Sequence, residues 1–509
     1  MIKVKTLIAL IIIFIALSAF AKTYKTSDTM SLDNEYFYRL IDRANAISPS
    51  KYFSDNFKPY AERETIVLLN NDNMLKELFG VDKYLEEISD KAKSYYTFHR
   101  DSSRVAFNPI QELNLHLNYS TEKDTQFNNS LGSEYKGTDY NLKLSLKGGV
   151  QIKDLLLLSY TLSVENNEND DAKVSLYRFN VKKGFKHMAL SLMKDNIIIG
   201  PGYFGNLLMS NNVEPELTAL IKTEIPYDLG ILGALRWNMW HVWYDDDARV
   251  NKDPKLWGMR VSMKPVDWLE LAGTRIIYYG GEGNPTYSSL SDYWKLFTAK
   301  EENSGSKWDT EQLLGADISL YLPFLKKTGF LKGGKLYTEY SWTDITAPWQ
   351  TEDKGKDFAL LGASYIQGLY LTTGKTDLHF EYTKISKVNY NNHNFGRDGY
   401  TDEGYIIGHY SGRDSKSFFG EIYHEFNDKV HAVIGGAYVK RGLNMPEQQK
   451  VKIGYIGGKY FVSQNMFINI KINYVTESMI DVDSSPVFYN FKDESREYTQ
   501  FMFNIKYLR

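Results

Sequence analysis

Residues 466–475 read "MFINIKINYV", and Met466, Ile468, Ile470, Ile472 and Tyr474 alternate there with Asn469, Lys471 and Asn473. A period of two places the apolar set on one face of a strand and the polar set on the other. The stretch is about ten residues long, enough for a tilted strand to cross a bilayer. One greasy face and one wet face over that length is the pattern of a barrel strand with lipid outside and water inside.

The pattern recurs through most of the chain. "LNLHLNY" sets Leu113, Leu115, Leu117 and Tyr119 against Asn114, His116 and Asn118, and "YNLKLSLK" does the same with Leu142, Leu144 and Leu146. The last residues repeat it with Phe501, Phe503, Ile505 and Tyr507. Spans of this kind fall near 111–119, 140–150, 154–164, 173–182, 186–194, 216–224, 230–244, 255–264 and 267–279. Others fall near 313–322, 335–343, 357–366, 376–385, 416–426, 429–439, 450–460, 465–475 and 497–508. The expected fold is therefore a mainly β protein: a transmembrane antiparallel barrel of about eighteen strands over 109–509. Connections after odd strands are mostly long and those after even strands short, which puts short turns in the periplasm and long loops outside.

Composition is consistent with that. Aromatic residues make up 15% of the chain, 38 of them tyrosine, which suits rings placed at a membrane interface. A formal charge of −3 excludes a nucleic-acid surface. With no cysteine there is no disulfide, no thiolate metal site and no lipoprotein anchor. Residues 1–21 carry Lys3, Lys5, an apolar run and Ala19-Phe20-Ala21, the layout of a cleaved signal peptide. Residues 22–108 change period: Tyr36, Leu40, Ile41, Ala44 and Ile47 share one helical stripe, and 62–80 and 82–96 continue it. We expect a small periplasmic helical bundle there.

Charged residues inside the spans are expected to point into the lumen or sit near an interface, because Arg or Lys facing lipid at mid-membrane costs about 2–4 kcal/mol. Arg236, Arg260 and Arg275 would form a basic arc, and Glu339, Glu381 and Glu421 an acidic one. Two readings stay open: a transverse field that orients solutes, or groups paired with neighbours or with a plugging loop.

The segment "DNIIIGPGYFGNLLMSNN", 195–212, contains a G-x-G-x-x-G at Gly200, Gly202 and Gly205. A dinucleotide loop would need a parallel strand before it and a helix after it. Here antiparallel strands flank the motif and Pro201 stiffens its centre, so no nucleotide cofactor is expected. The loop is rich in apolar residues and should fold into the barrel as a plug or constriction. Gly200, Pro201, Gly202 and Gly205 would supply the tight turns. Leu207 and Leu208 would be buried there, while Ser210, Asn211 and Asn212 satisfy backbone groups.

"GPGYFGNLLMSNNVEPE" resembles the signature segment of the Wzi-type capsule-assembly family of Gram-negative outer-membrane proteins. "TRIIYYGGEGNP" (275–285 with Thr274), "LHFEYTKI" (378–385) and "DGYTDEGYIIGHYSGRDS" (398–415) agree with it in order. The resemblance implies an eighteen-stranded barrel, a periplasmic helical bundle, and a lectin-like role in organising capsular polysaccharide at the cell surface.

A polysaccharide surface needs rings to stack on sugar C–H groups and polar side chains for hydroxyls and uronates. Two long loops hold that mix: Tyr287, Tyr293, Trp294 and Trp308 in one; Tyr390, His393, Arg397, Tyr400, Tyr405 and His409 in the other. No catalytic residue is expected, since no G-x-S-x-G elbow occurs, and the run Asp245–Asp247 lacks the spacing of a metal site. The expected function is a non-enzymatic outer-membrane protein that binds capsular or other surface polysaccharide and aids capsule assembly or attachment. A diffusion porin for charged small solutes is the alternative. Its partners would be polysaccharide, outer-membrane lipid and, for the bundle, the periplasmic export machinery.

Overall fold

A computed structural model describes residues 26–69, 105–122, 140–153, 155–167, 172–247, 249–285, 287, 289–298, 310–346, 359–391, 395, 398–481 and 487–508. The expected signal peptide and residues 70–104 of the expected bundle lie outside this set.

Eighteen antiparallel strands close into a single barrel. They are β1 (Val105–Ser120), β2 (Tyr140–Ile152), β3 (Leu156–Asn167), β4 (Lys173–Gly184), β5 (Met188–Asp195) and β6 (Glu216–Thr223). Next come β7 (Ala234–Trp243), β8 (Pro254–Val266), β9 (Leu269–Gly280), β10 (Glu311–Tyr321), β11 (Gly333–Thr346) and β12 (Ala359–Thr372). The last are β13 (Thr376–Ile385), β14 (Ser415–Glu425), β15 (Val430–Arg441), β16 (Gln449–Ser463), β17 (Met466–Asp481) and β18 (Phe491–Leu508). Closure is made by β1 on β18, with Glu112 opposite Leu508 and Ser120 opposite Gln500. No edge is left to pair with another chain.

The alternation in 466–475 sorts as its period requires. Ile470 and Tyr474 are 49% and 48% exposed on the outer wall, while Asn473 on the opposite face is 1% exposed. Two strands are longer than their apolar pattern. β1 begins at Val105 because a register shift between Asn108 and Glu112, around Pro109, breaks the alternation without ending the strand. β18 begins at Phe491 through "KDESRE", whose charges hide a strand that continues beyond the apolar belt.

Among the described residues, two α-helices precede the barrel: α1 (Glu35–Ile47) and α2 (Glu62–Leu69). The apolar stripe of α1 is buried, with Phe37, Leu40 and Ile41 at 0% exposure. Its cluster extends to Tyr423, Phe461 and Phe467 near the short-turn ends of β14, β16 and β17. The described N-terminal segment thus packs inside the mouth of the barrel on the short-turn side. A third helix, α3 (Leu290–Thr298), lies in the connection between β9 and β10.

Candidate functional site

Loop 196–215 enters the lumen and is held there by carboxylates of the wall. Glu381 on β13 accepts the backbone N–H of Tyr203 at 2.5 Å and of Phe204 at 2.8 Å, and the Tyr337 hydroxyl at 2.6 Å. Glu339 on β11 accepts the Leu207 N–H at 2.8 Å and the Asn206 amide at 3.3 Å. Glu421 on β14 accepts the hydroxyls of Tyr203 at 2.6 Å and Tyr455 at 2.7 Å. Three buried carboxylates thus satisfy the backbone and side-chain donors of a loop that makes few ladder bonds of its own. Unpaired, each of those donors would carry a desolvation penalty.

The glycines allow this approach. Gly200 sits at φ 115°, and a Cβ there would lie 2.4 Å from Glu339 Oε2. At Gly205 a Cβ would lie 2.6 Å from the His409 ring. The literal G-x-G-x-x-G is therefore a close-approach device for carboxylate and imidazole.

From the long-loop side, residues 386–391 and 398–414 cover the same loop. Tyr390 donates to the Leu207 carbonyl at 2.6 Å and Tyr400 to the Leu208 carbonyl at 3.0 Å. Ser210 N–H donates to Ile407 O at 2.9 Å, and the Asn212 amide reaches Ile406 O at 3.2 Å. Pro201 is buried, Asn211 is half-buried, and Leu207 and Leu208 join a core cluster with Trp240, Tyr278 and Phe395. Trp240 Nε1 donates to Met209 Sδ at 3.2 Å.

Below the loop, the N-terminal segment uses the remaining charges. Arg43 binds Asp377 through two nitrogens, at 3.1 and 2.8 Å, and Glu425 at 2.5 Å. Arg39 reaches Glu421 at 2.8 Å and lies over the Tyr423 ring at 4.0 Å. Lys335 on β11 binds Asp55 at 2.7 Å, and Ser54 donates to Glu270. Of the expected basic arc, Arg236 donates to the Tyr52 carbonyl, and Arg260 holds Asp317 at 2.6 and 2.9 Å. Between α1 and the loop lies a cavity of 220 Å³, lined among others by Arg39, Tyr203, His116, Asn469 and Lys471.

Arg275 corrects one expectation. Its neighbours Thr274 and Ile276 point inward, so Arg275 lies on the outer wall. There it bonds Gln312 at 3.1 Å and donates to the carbonyls of Leu296, at 3.2 Å, and Phe297 at the end of α3. The C-terminal end of a helix is a favourable place for a cation, and this offsets the cost of leaving the lumen.

Several expected sugar-stacking residues also fall elsewhere. Tyr390, Tyr400 and His409 are 0% exposed and brace the inserted loop, so they present no face to a glycan. Burial pushes the His409 imidazole down to about 3, which keeps it neutral beside Ser411 Oγ at 2.8 Å. Tyr405 is half-buried against the same core. Tyr287, Tyr293 and Trp294 belong to the outer wall around α3. Trp308, His393 and Arg397 lie outside the described residues.

Sequence reasoning missed a different cluster on the long-loop rim. Arg413 lies 4.8 Å over the Phe488 ring, Tyr489 donates to the Arg413 carbonyl at 2.6 Å, and Tyr489 stacks on Phe491 at 5.1 Å. Arg413 Nε has no hydrogen-bond partner in the structure. Rings beside a half-buried guanidinium form the surface that acidic sugars need.

Comparison with known proteins bears on this architecture directly. The family model described as capsule assembly protein Wzi matches residues 111–485. The chain belongs to the Wzi capsule-assembly family. Among solved structures, the Wzi fold is similar over nearly the whole molecule. The neighbour is Wzi of Escherichia coli, described as an outer-membrane protein involved in group 1 capsule assembly and a carbohydrate-binding β-barrel. It shares a TM-score of 0.69 at 16% identity, covering 94% of this chain and 99% of that one. A second relative is an uncharacterized 55.8 kDa protein of the cps region of Klebsiella pneumoniae, 28% identical over 128 residues. That match spans 24% of this Wzi-family chain and only 25% of the curated relative. Fold class, outer-membrane barrel and capsule-assembly family therefore stand together. The signal for Arg413 and Tyr489 was faint in sequence: the two residues, in "SGRDS" and "PVFYN", lie 76 residues apart and meet only at the rim.

Proposed function

We propose that this Wzi-family barrel binds capsular or other surface polysaccharide at its long-loop rim, and so helps capsule to assemble or attach, without catalysis. The long loops face outward, the helical N-terminal segment faces the periplasm, and the lumen is closed to solutes. The observation that carries this reading is the docking of loop 196–215 on Glu339, Glu381 and Glu421. An open porin needs lumen charges that face water, whereas these three are committed to loop donors. The rim cluster of Arg413, Phe488 and Tyr489 would supply stacking and a guanidinium for uronate or phosphate groups. The Ser411–His409 pair is fully buried, which counts against a hydrolase.

The test is retention of purified capsular polysaccharide, from the bacterium that carries the protein, on the full-length protein in nanodiscs. Saturable binding that falls in an Arg413→Ala variant supports the reading. An intact protein that retains no polysaccharide contradicts it.

A further inference from the structure

Helix α3 folds back over the outside of the barrel. Leu296, 1% exposed, packs on Ile277 and Tyr279 of the outer wall, and Tyr293 meets Trp257 edge-on at 6.4 Å. Two rings of the nine-residue helix stay open on the outside: Trp294 is 65% exposed, and Phe297, which also meets Trp257 at 6.0 Å, is 37% exposed, the two rings 5.6 Å apart. Two large rings facing away from a protein core ask for an apolar solvent.

The height of the helix says which one. Ile277 and Tyr279 lie within four residues of the rim residue Gly280, roughly 10 Å of wall at about 3.3 Å per residue. That is the level of the headgroup–acyl boundary, where barrel proteins carry aromatic girdles. The apolar surface continues down the same wall through Val261 and Ile318, 46% and 42% exposed. At the C-terminal end of α3, Arg275 ties the helix carbonyls to the wall, so the helix cannot swing toward the mouth without abandoning a cation on the lipid face.

We propose that α3 is an interfacial anchor: it lies in the outer leaflet with Trp294 and Phe297 among the acyl chains, and pins residues 289–298 to the membrane surface. The occupant is lipid. This goes beyond the polysaccharide reading and does not depend on it.

The test uses the full-length protein and a Trp294→Phe variant in phosphatidylcholine vesicles, both checked for folding by heat-modifiable electrophoretic mobility. The chain has 9 tryptophans, so the difference between the two emission spectra isolates Trp294. With acyl chains brominated near the glycerol end, most of the difference emission should be lost. It should survive bromination near the methyl end and be insensitive to acrylamide in the water. A Phe297→Trp change in the Trp294→Phe background should give a second reporter with the same profile. Difference emission quenched by acrylamide and untouched by bromine would overturn the proposal, as would emission that responds to neither.

Discussion

Glu381 accepts three hydrogen bonds at once, two of them from the backbone of a loop that has few ladder bonds to fall back on. Hydrogen bonds to a charged group are worth about 1.5–3 kcal/mol each, and removing the acceptor strands buried donors. Glu381→Ala should therefore loosen the loop by about 3 kcal/mol or more, read as faster cleavage near 203–207 by added protease. Unchanged cleavage would mean that the loop is held from the long-loop side alone. Gly205→Ala should act at the same place by a different cause, since its new methyl meets the His409 ring. Overpacking of that kind costs about 1–3 kcal/mol. Arg413→Ala loses one charge-assisted contact and should weaken polysaccharide binding about tenfold, as about 1.4 kcal/mol implies. Residues were the least legible scale in the sequence. Arg275 sits in "TRIIYY", where apolar residues follow on both faces, so parity could not be read and cost alone assigned it to the lumen. The helix carbonyls that receive it come from a loop 21 and 22 residues away.

Elements were far more legible, because period two and a bilayer-sized length are physical requirements that leave their mark in every span. The helical stripe of α1 was equally visible, but its polar side was not: Arg39 and Arg43 stand four apart and meet acids more than 330 residues away. Arg43→Ala would take the Arg43 guanidinium away from the buried Asp377 and Glu425. Breaking a buried pair on one side costs about 3–5 kcal/mol. The variant should lose its heat-modifiable mobility at a lower temperature than the parent. The docking of this segment should also depend on acid. Burial would raise the Asp55 carboxyl, but the Lys335 ammonium outweighs it and holds the group down to about 2. A depressed acid stabilises the folded state above its ordinary value, here 3.8, and that contribution is lost as pH falls toward about 2. The share of protease release of the N-terminal segment that Asp55 controls should thus be flat above pH 4 and rise below it. In Asp55→Asn the rise contributed by this group should be absent.

At the scale of the whole molecule, one wall serves three environments. Lipid meets its outer face, the N-terminal segment fills its short-turn mouth, and residues 196–215, 386–391 and 398–414 pack into its other half. The barrel could be read from alternation because lipid and water impose it. The inward fold of loop 196–215 could be read from its apolar residues, but its partners could not, since they are side chains from distant segments and acids that sequence alone leaves free to face water. The central claim is that these contacts close the lumen, so the protein holds polysaccharide at its rim and passes no solute. Single-channel recording of the intact, full-length protein in a planar bilayer tests that claim most directly. The account predicts a silent membrane after verified insertion, with conductance only when the loop's carboxylate anchors are removed together with Arg43. Steady ohmic conductance from the intact protein would contradict it and make the barrel a porin.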